Sequence, residues 1–231
     1  MIDINYDVYS DTPKGRDPDS YSPTLRKYHQ LLWSKALPSG NIFTLTDKVP
    51  RKLYHNSNLG EFLISSDSIG HTYRSTKVMS EIVKQVPTKE MDDFFSLCST
   101  IGAYMVFPAN KINNKMTING SRGLNRNIRD RFDLTLECIR LFYLKESSPL
   151  YETFNRYASF FRLFETFRVY VDFFLLQDLV DETYNSVKFW IPFSEFGSNP
   201  LPENLSDYKL YMENISIFIK ARNQRIKHYN E

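Results

Sequence analysis

The sequence predicts an α+β fold: a small sheet from the N-terminal half packed against a mainly helical, aromatic-rich C-terminal half. Three observations lead there. Short β-branched or aromatic runs ("NIFTLTD", "KLYHN", "GEFLISSDSI" and "IGAYMVFP") fall before residue 110 and are parted by Pro50, Asn58 and Gly60, as strands and their turns read. Beyond residue 128 the apolar residues recur at helical spacing instead. Phe and Tyr supply most of an aromatic content of 15%, and such side chains carry the area for one large core. A chain of 231 residues suits a single domain, with residues 1–118 a mixed α/β half and residues 119–231 a mainly helical half.

The elements follow in order. Residues 1–23 hold five Asp together with Pro13, Pro18 and Pro23, and read as an extended, wrapping arm rather than a helix. In "SPTLRKYHQLLWSKALPSG" Ser22 is placed to cap a short helix with Pro23 at its first position, ended by Pro38 and Gly40. Segments 76–86 and 88–99 read as two helices with Pro87 between them. The apolar run 101–108, closed by Pro108, reads as a buried strand. After a loop, a helix starts at Ile128. From Pro149, apolar residues at Leu150, Phe154, Tyr157, Phe161, Phe164 and Val171 predict one long helix or two with a bend. "VKFWIPF" reads as a late strand, and Ser206 as the cap of a final helix.

Composition sets outer limits. A net charge of +2 is low for a dedicated electrostatic DNA binder. The two cysteines, Cys98 and Cys138, sit in apolar runs and form neither a disulfide framework nor a zinc pattern. No metal site and no cofactor are expected. The acidic N-terminus is unlike a signal peptide, and no window approaches the roughly 18 apolar residues of a membrane span. The expectation is a cytoplasmic protein, monomeric or a small homo-oligomer, with no membrane partner.

Charge is unevenly spread. "NGSRGLNRNIRDRFDLTLECIRLFYL" (119–144) joins a Gly/Asn/Arg stretch to an apolar one, and from Lys111 to Arg131 six Lys or Arg face a single acid, Asp130. Lys111, Asn113, Lys115, Asn119, Arg122, Arg126, Arg129 and Arg131 form the candidate nucleic-acid-binding set, a flexible cationic loop. Gly120 and Gly123 lack Walker A spacing. Indexed from Ile128, Arg129, Asp130, Asp133, Glu137 and Arg140 share an arc of about 100° on an otherwise apolar helix. They suit either carboxylates at the floor of a cleft or an ion-pair network holding the loop. A second cluster, residues 53–73, contains Asp67 and His71, near enough for one to orient the other. A hydrogen-bonded turn at a sheet edge is its plainer meaning, and no G-x-S-x-G elbow surrounds its serines. Arg222 and His228 are similar in spacing to the R-x4-6-H motif of HEPN ribonucleases, although a cationic helix end would give the same pattern.

"DTPKGRDPDSYSPTLRKYHQLLWSKALPSG", "FLISSDSIGHTY", "YMVFPANKINNKMTINGSRGLNRNIRDRFDLTLECIRLFY" and "YVDFFLLQDLV" resemble a bacterial family catalogued only as a domain of unknown function. The likeness spans nearly the whole chain and implies a complete single-domain member. It implies no activity, catalytic residue or cofactor.

The functional expectation therefore rests on the residues. It is a nucleic-acid-acting enzyme or effector, plausible in phage defence, that hydrolyses a glycosidic or phosphodiester bond in the manner of a DNA glycosylase, with DNA placed before RNA. Asp67, His71, Asp130 and Asp133 are its candidate catalytic residues. The alternative is a non-catalytic binding or regulatory module whose basic Asn/Arg loop contacts an acidic partner. If there is one site, the Asp67/His71 cluster and the Arg122–Arg131 segment must converge across some 55 residues of sequence.

Overall fold

Two reversals set the sheet. Arg51 at φ 64° and Gly60 at φ 134° turn the chain between β1 (Thr46–Val49), β2 (Lys52–Ser57) and β3 (Gly60–Ser68). The fourth strand, β4 (Tyr104–Pro108), pairs antiparallel with β3 in the register Ser66↔Val106 and Asp67↔Met105, so the order is β1-β2-β3-β4. The computed structural model describes residues 1–229. Along β3, Phe62, Ile64 and Ser66 are buried while Leu63, Ser65 and Asp67 alternate with them, because successive side chains point to opposite faces. Every residue of β4 is buried. The expected strand at 41–47 is mostly absent. Phe43 N–H donates to the carbonyl of Lys35, and Leu45 N–H to Ser34 Oγ, so this segment hydrogen-bonds back to the end of the preceding helix before β1 begins.

The arm contains one helical turn, α1 (Pro18–Tyr21), capped by Asp17, which accepts from Asp19 N–H at 3.1 Å. Ser22 caps α2 (Pro23–Trp33) as its sequence indicates, accepting from Leu25 N–H at 3.0 Å. Only a 3-10 turn (Lys77–Met79) and α3 (Ser80–Val83) form before Pro87, and α4 (Thr88–Cys98) follows it. Residues 101–103 make a 3-10 turn before β4.

The Gly/Asn/Arg stretch is not a loop throughout. Residues 118–124 form α5 (Ile118–Leu124), because Ile118, Ser121 and Arg122 make a buried face. The next helix, α6 (Phe132–Tyr143), starts four residues later than Ile128, since Arg129 (φ 48°) and Asp130 (φ 61°) are both left-handed.

No single long helix follows. The segment divides into α7 (Tyr151–Arg156), α8 (Ala158–Arg162) and α9 (Phe167–Phe173), with Glu165 left-handed at φ 60° and Thr166 capping α9. The breaks let rings from every side of the pattern meet. Phe164 lies 5.0–5.4 Å, centroid to centroid, from Phe160, Tyr170, Phe173 and Phe174, the range for favourable edge-to-face pairs.

"VKFWIPF" forms a single bridge, Val180↔Val187, and no strand. The last helix, α10 (Leu205–Tyr229), is capped by Asn204, which accepts from Asp207 N–H at 2.9 Å. Arg222 is not at a solvated helix end. It is fully buried, donates to the carbonyls of Gly102, Tyr104 and Phe174 at 2.7–3.2 Å, and lies 5.6 Å from the Trp33 ring. Every donor nitrogen of Arg222 is thereby engaged in holding α10 to the sheet, so no ribonuclease-like role is open to it. Beside it, Asn223 Oδ1 accepts from Gly102 N–H at 2.8 Å, and a Cβ on Gly102 would lie 2.4 Å from that oxygen. Among the described residues no helix is long and apolar enough to cross a membrane.

Candidate functional site

The end of β3 carries two polar side chains to opposite faces. Ser66 meets α2, where its Oγ lies 2.9 Å from His29 Nε2. Asp67 meets α5, where its Oδ2 accepts from Arg122 Nη1. Arg122 is fully buried, with Nε donating to Thr135 Oγ1 at 2.9 Å and the guanidinium 5.5–5.6 Å from the rings of Phe132 and Phe107. A buried cation needs this enclosure of acceptors and ring faces to be tolerated. Its Nη2 also donates to the Asp130 carbonyl at 3.4 Å. The Asp130 carboxylate lies over Gly123, where a Cβ would come within 3.1 Å of its Oδ2. Glycine at 123 makes room for that acid rather than for a phosphate.

Asp67 and Asp130 open onto a cleft of about 510 Å³ that is also lined by Asp19, His71, Arg74 and Tyr104, with Asp17, Ser68, Tyr9 and Phe95 on its wall. The volume suits a ligand the size of a nucleoside or small sugar. The rings of Tyr9 and Phe95 meet at a tilt of 37° with centroids 5.1 Å apart, and Arg74 pairs with Asp92 at 2.5 Å.

The acids differ in state. Burial pushes Asp67 up to about 6, with Arg122 pulling it down and Asp130 pushing it up. Asp19 is raised well above the carboxylate range by burial, then by the charges of Asp67 and Asp17, against a hydrogen bond from Ser66. Its Oδ1 is buried and without a hydrogen-bond partner. Asp19 is therefore held further toward its neutral form than Asp67, which has the Arg122 guanidinium against it. His71 accepts from Tyr73 N–H through Nδ1 at 3.0 Å, which leaves the ring proton on Nε2. Burial and Arg122 lower its pKa against the pull of Asp130, keeping the ring neutral. Among the described residues no group of three or more His, Cys, Asp or Glu is arranged to hold a metal ion.

The structure thus brings Asp67, His71, Asp130 and Arg122 together, and the two sequence clusters converge. It does not bring Asp133 there. Asp133 is fully buried in a two-point pair with Arg131 (3.1 and 2.5 Å), and its Oδ2 also accepts from Trp190 N–H at 3.0 Å. Arg131 spends its remaining donors on the carbonyls of Pro200 and Ile191. The pair ties α6 to the 190–200 segment and is closed to solvent, which removes Asp133 from catalysis and Arg131 from nucleic-acid contact. Burial removes Arg122 from direct phosphate contact as well.

Asn119 is a strut, donating to the carbonyl of Ser66 at 2.9 Å and to Ser65 Oγ at 3.3 Å. Lys111, Asn113 and Lys115 are exposed. Arg126 and Arg129 are exposed on a second cavity of about 740 Å³, shared with Asn127, Val78, Ser198 and Asn199. Neighbouring residues thus serve neighbouring hollows, Arg129 the cationic one and Asp130 the acidic one.

Asp19 is the residue that sequence reading missed. Its signal is "DPDS", an Asp-Pro pair of the kind that starts a helical turn, which carries Asp19 into the cleft instead of leaving it on an extended arm.

No curated protein and no solved structure is significantly similar to the chain. A family model does match residues 2–226, and by that match the chain belongs to a family of unknown function, DUF6994.

Proposed function

We propose that the protein hydrolyses a glycosidic bond in a nucleic acid, with Asp19 as general acid and Asp67 as general base. The observation that carries this reading is the placement of Asp19 and Asp67 in one cleft of nucleoside size, where burial favours the neutral form of Asp19 and Arg122 pairs with Asp67. A departing base or sugar oxygen needs a proton, and a carboxyl kept neutral at working pH can supply it. The sugar left behind develops positive charge, which surrounding carboxylates stabilise. Phosphoryl transfer would instead gather negative charge at the reacting centre, against Asp17, Asp19, Asp67 and Asp130. The acidic lining therefore favours the glycosidic over the phosphodiester bond.

In the proposed step, Asp19 gives its proton to the leaving group as the C1′ bond breaks. Asp67 takes a proton from water, and the resulting hydroxyl bonds to C1′. Proton exchange with solvent then restores both acids. The Tyr9/Phe95 pair offers ring faces to a base. Arg126 and Arg129, neither in an ion pair among the described residues, offer charge to flanking phosphates from the adjoining cavity.

The test is incubation of purified protein with single-stranded and duplex DNA and RNA, followed by counts of abasic sites and strand breaks. Abasic sites formed before any strand break are expected. Strand breaks without abasic sites, or binding with no bond cleaved, would overturn the proposal. The second outcome would support the binding-module alternative.

A further inference from the structure

We infer that His71 and Asp130 form a donor–acceptor pair that selects a base carrying an amino group beside an unprotonated ring nitrogen, as adenine and cytosine do. This deepens the proposed reaction and rests on it for the ligand's being a base. Both side chains are half-buried on the wall of one cleft. The backbone sets the tautomer of His71. Its Nδ1 accepts from Tyr73 N–H at 3.0 Å, so the neutral ring carries its proton on Nε2. Among the described residues Nε2 makes no hydrogen bond, and it is not buried. The Asp130 carboxylate, among the same residues, enters no ion pair, accepts no hydrogen bond and is not buried. The cleft thus presents a free N–H from His71 and a free carboxylate from Asp130.

Tyr73 ties the two together. Its backbone N–H serves His71, and its hydroxyl donates at 2.9 Å to the carbonyl of Arg129, the peptide that leads into Asp130. From the other side, the Tyr211 hydroxyl donates to the His71 carbonyl at 2.9 Å and the Tyr208 hydroxyl to that of Thr72. The segment is therefore anchored to α10, and donor and acceptor keep a fixed relation. Adenine and cytosine place a ring-nitrogen acceptor beside an amino donor, which matches the Nε2–H and the carboxylate. Thymine and uracil offer a single N–H flanked by two carbonyl oxygens. Among Asp17, Asp67 and Asp130, such a base would turn a carbonyl oxygen toward a carboxylate, a contact that selects against it.

Binding of free nucleosides to the intact protein tests this without turnover, so it can succeed or fail apart from the proposed cleavage. The protein is titrated with 2′-deoxyadenosine, 2′-deoxycytidine and thymidine and followed by long-range ¹H–¹⁵N correlation spectra, with the His71 signal assigned by His71→Gln. Free protein should show the Nε2–H tautomer of His71. Both amino nucleosides should shift that signal and bind at least about tenfold more tightly than thymidine. Asp130→Asn suits a left-handed position and should lose most of this preference, because an amide can also donate to a carbonyl. Tyr73→Phe should keep the tautomer while weakening both amino nucleosides. A protonated Nδ1 in the free protein, equal affinity for thymidine, or no binding of the amino nucleosides would overturn the inference. So would an unchanged preference in a folded Asp130→Asn variant. Abasic sites formed equally at all four bases would leave the cleavage standing and remove the selection.

Discussion

Arg122 Nη1 donates to Asp67 Oδ2 across 55 positions of sequence, and both ends of this pair are withdrawn from bulk solvent, the arginine completely and the carboxylate to 17% exposure. The pair joins α5 to the last turn of β3, so it fixes the floor of the cleft as well as its charge. Removing one member of such a pair strands the other. Arg122→Ala is expected to cost about 3–5 kcal/mol of unfolding free energy. Arg122→Lys should recover only part of it, since an ammonium cannot serve Thr135, Asp67 and the Asp130 carbonyl at once. Urea denaturation decides this, and a loss below about 1 kcal/mol for Arg122→Ala would mean that the pair is not structural.

The acid pair makes a second prediction, in pH. Asp67 is held at about 6 in the folded protein and near 3.9 in the unfolded chain. The folded state therefore binds the extra proton between those values. Stability from this group is fully present below about pH 4 and is lost as pH rises through 6. Buried His29, whose folded pKa is lowered to about 3, runs the opposite way, so the test is a comparison. Wild type should lose up to about 3 kcal/mol relative to Asp67→Asn between pH 4 and 7. Parallel stability curves for the two proteins would contradict it. The rate, which needs Asp67 ionised, should rise through about pH 6.

Asp133 supplies the contrast. It is sealed against Arg131 and Trp190, not on the cleft. Asp133→Asn is expected to lower stability by about 3–5 kcal/mol, with activity per folded molecule unchanged. A stable but inactive Asp133→Asn protein would return this residue to the catalytic set.

Much of this architecture was legible in the sequence. The Ser22-Pro23 cap, the strand ends and the charge asymmetry around residues 111–131 have local causes, and local causes leave local signals. That Asp67 and the arginine-rich segment converge was also legible, because polar clusters at the ends of apolar elements gather at one edge of a sheet. What was not legible is burial. Arg122, Arg126, Arg129 and Arg131 read alike in sequence, yet two are enclosed and two are exposed. The difference comes from partners far away: Asp67 for one, Pro200 and Ile191 for another. The aromatic run from residue 150 kept a helical period while dividing into three helices, since packing of Phe164 among its neighbours outweighs helix propensity. Arg222 read as a tail cation for the same reason, its three carbonyl partners lying 48 to 120 residues away.

The cationic hollow offers a fourth test. Replacing exposed Arg126 and Arg129 by Ala should leave the melting temperature unchanged. It should also flatten the salt dependence of oligonucleotide binding by about one unit of log–log slope per lost phosphate contact. Fluorescence anisotropy between about 50 and 200 mM salt measures this directly. An unchanged slope would exclude this cavity as the phosphate path.

The central claim is that Asp19 and Asp67 act together on a glycosidic bond, and base release from an oligonucleotide tests it most directly. Wild type, Asp19→Asn and Asp67→Asn, each shown folded by circular dichroism and melting, would be compared under identical conditions. Each substitution should lower the rate of abasic-site formation by about 100-fold or more, the range for loss of a general acid or base. Wild-type rates in both folded variants would contradict the account.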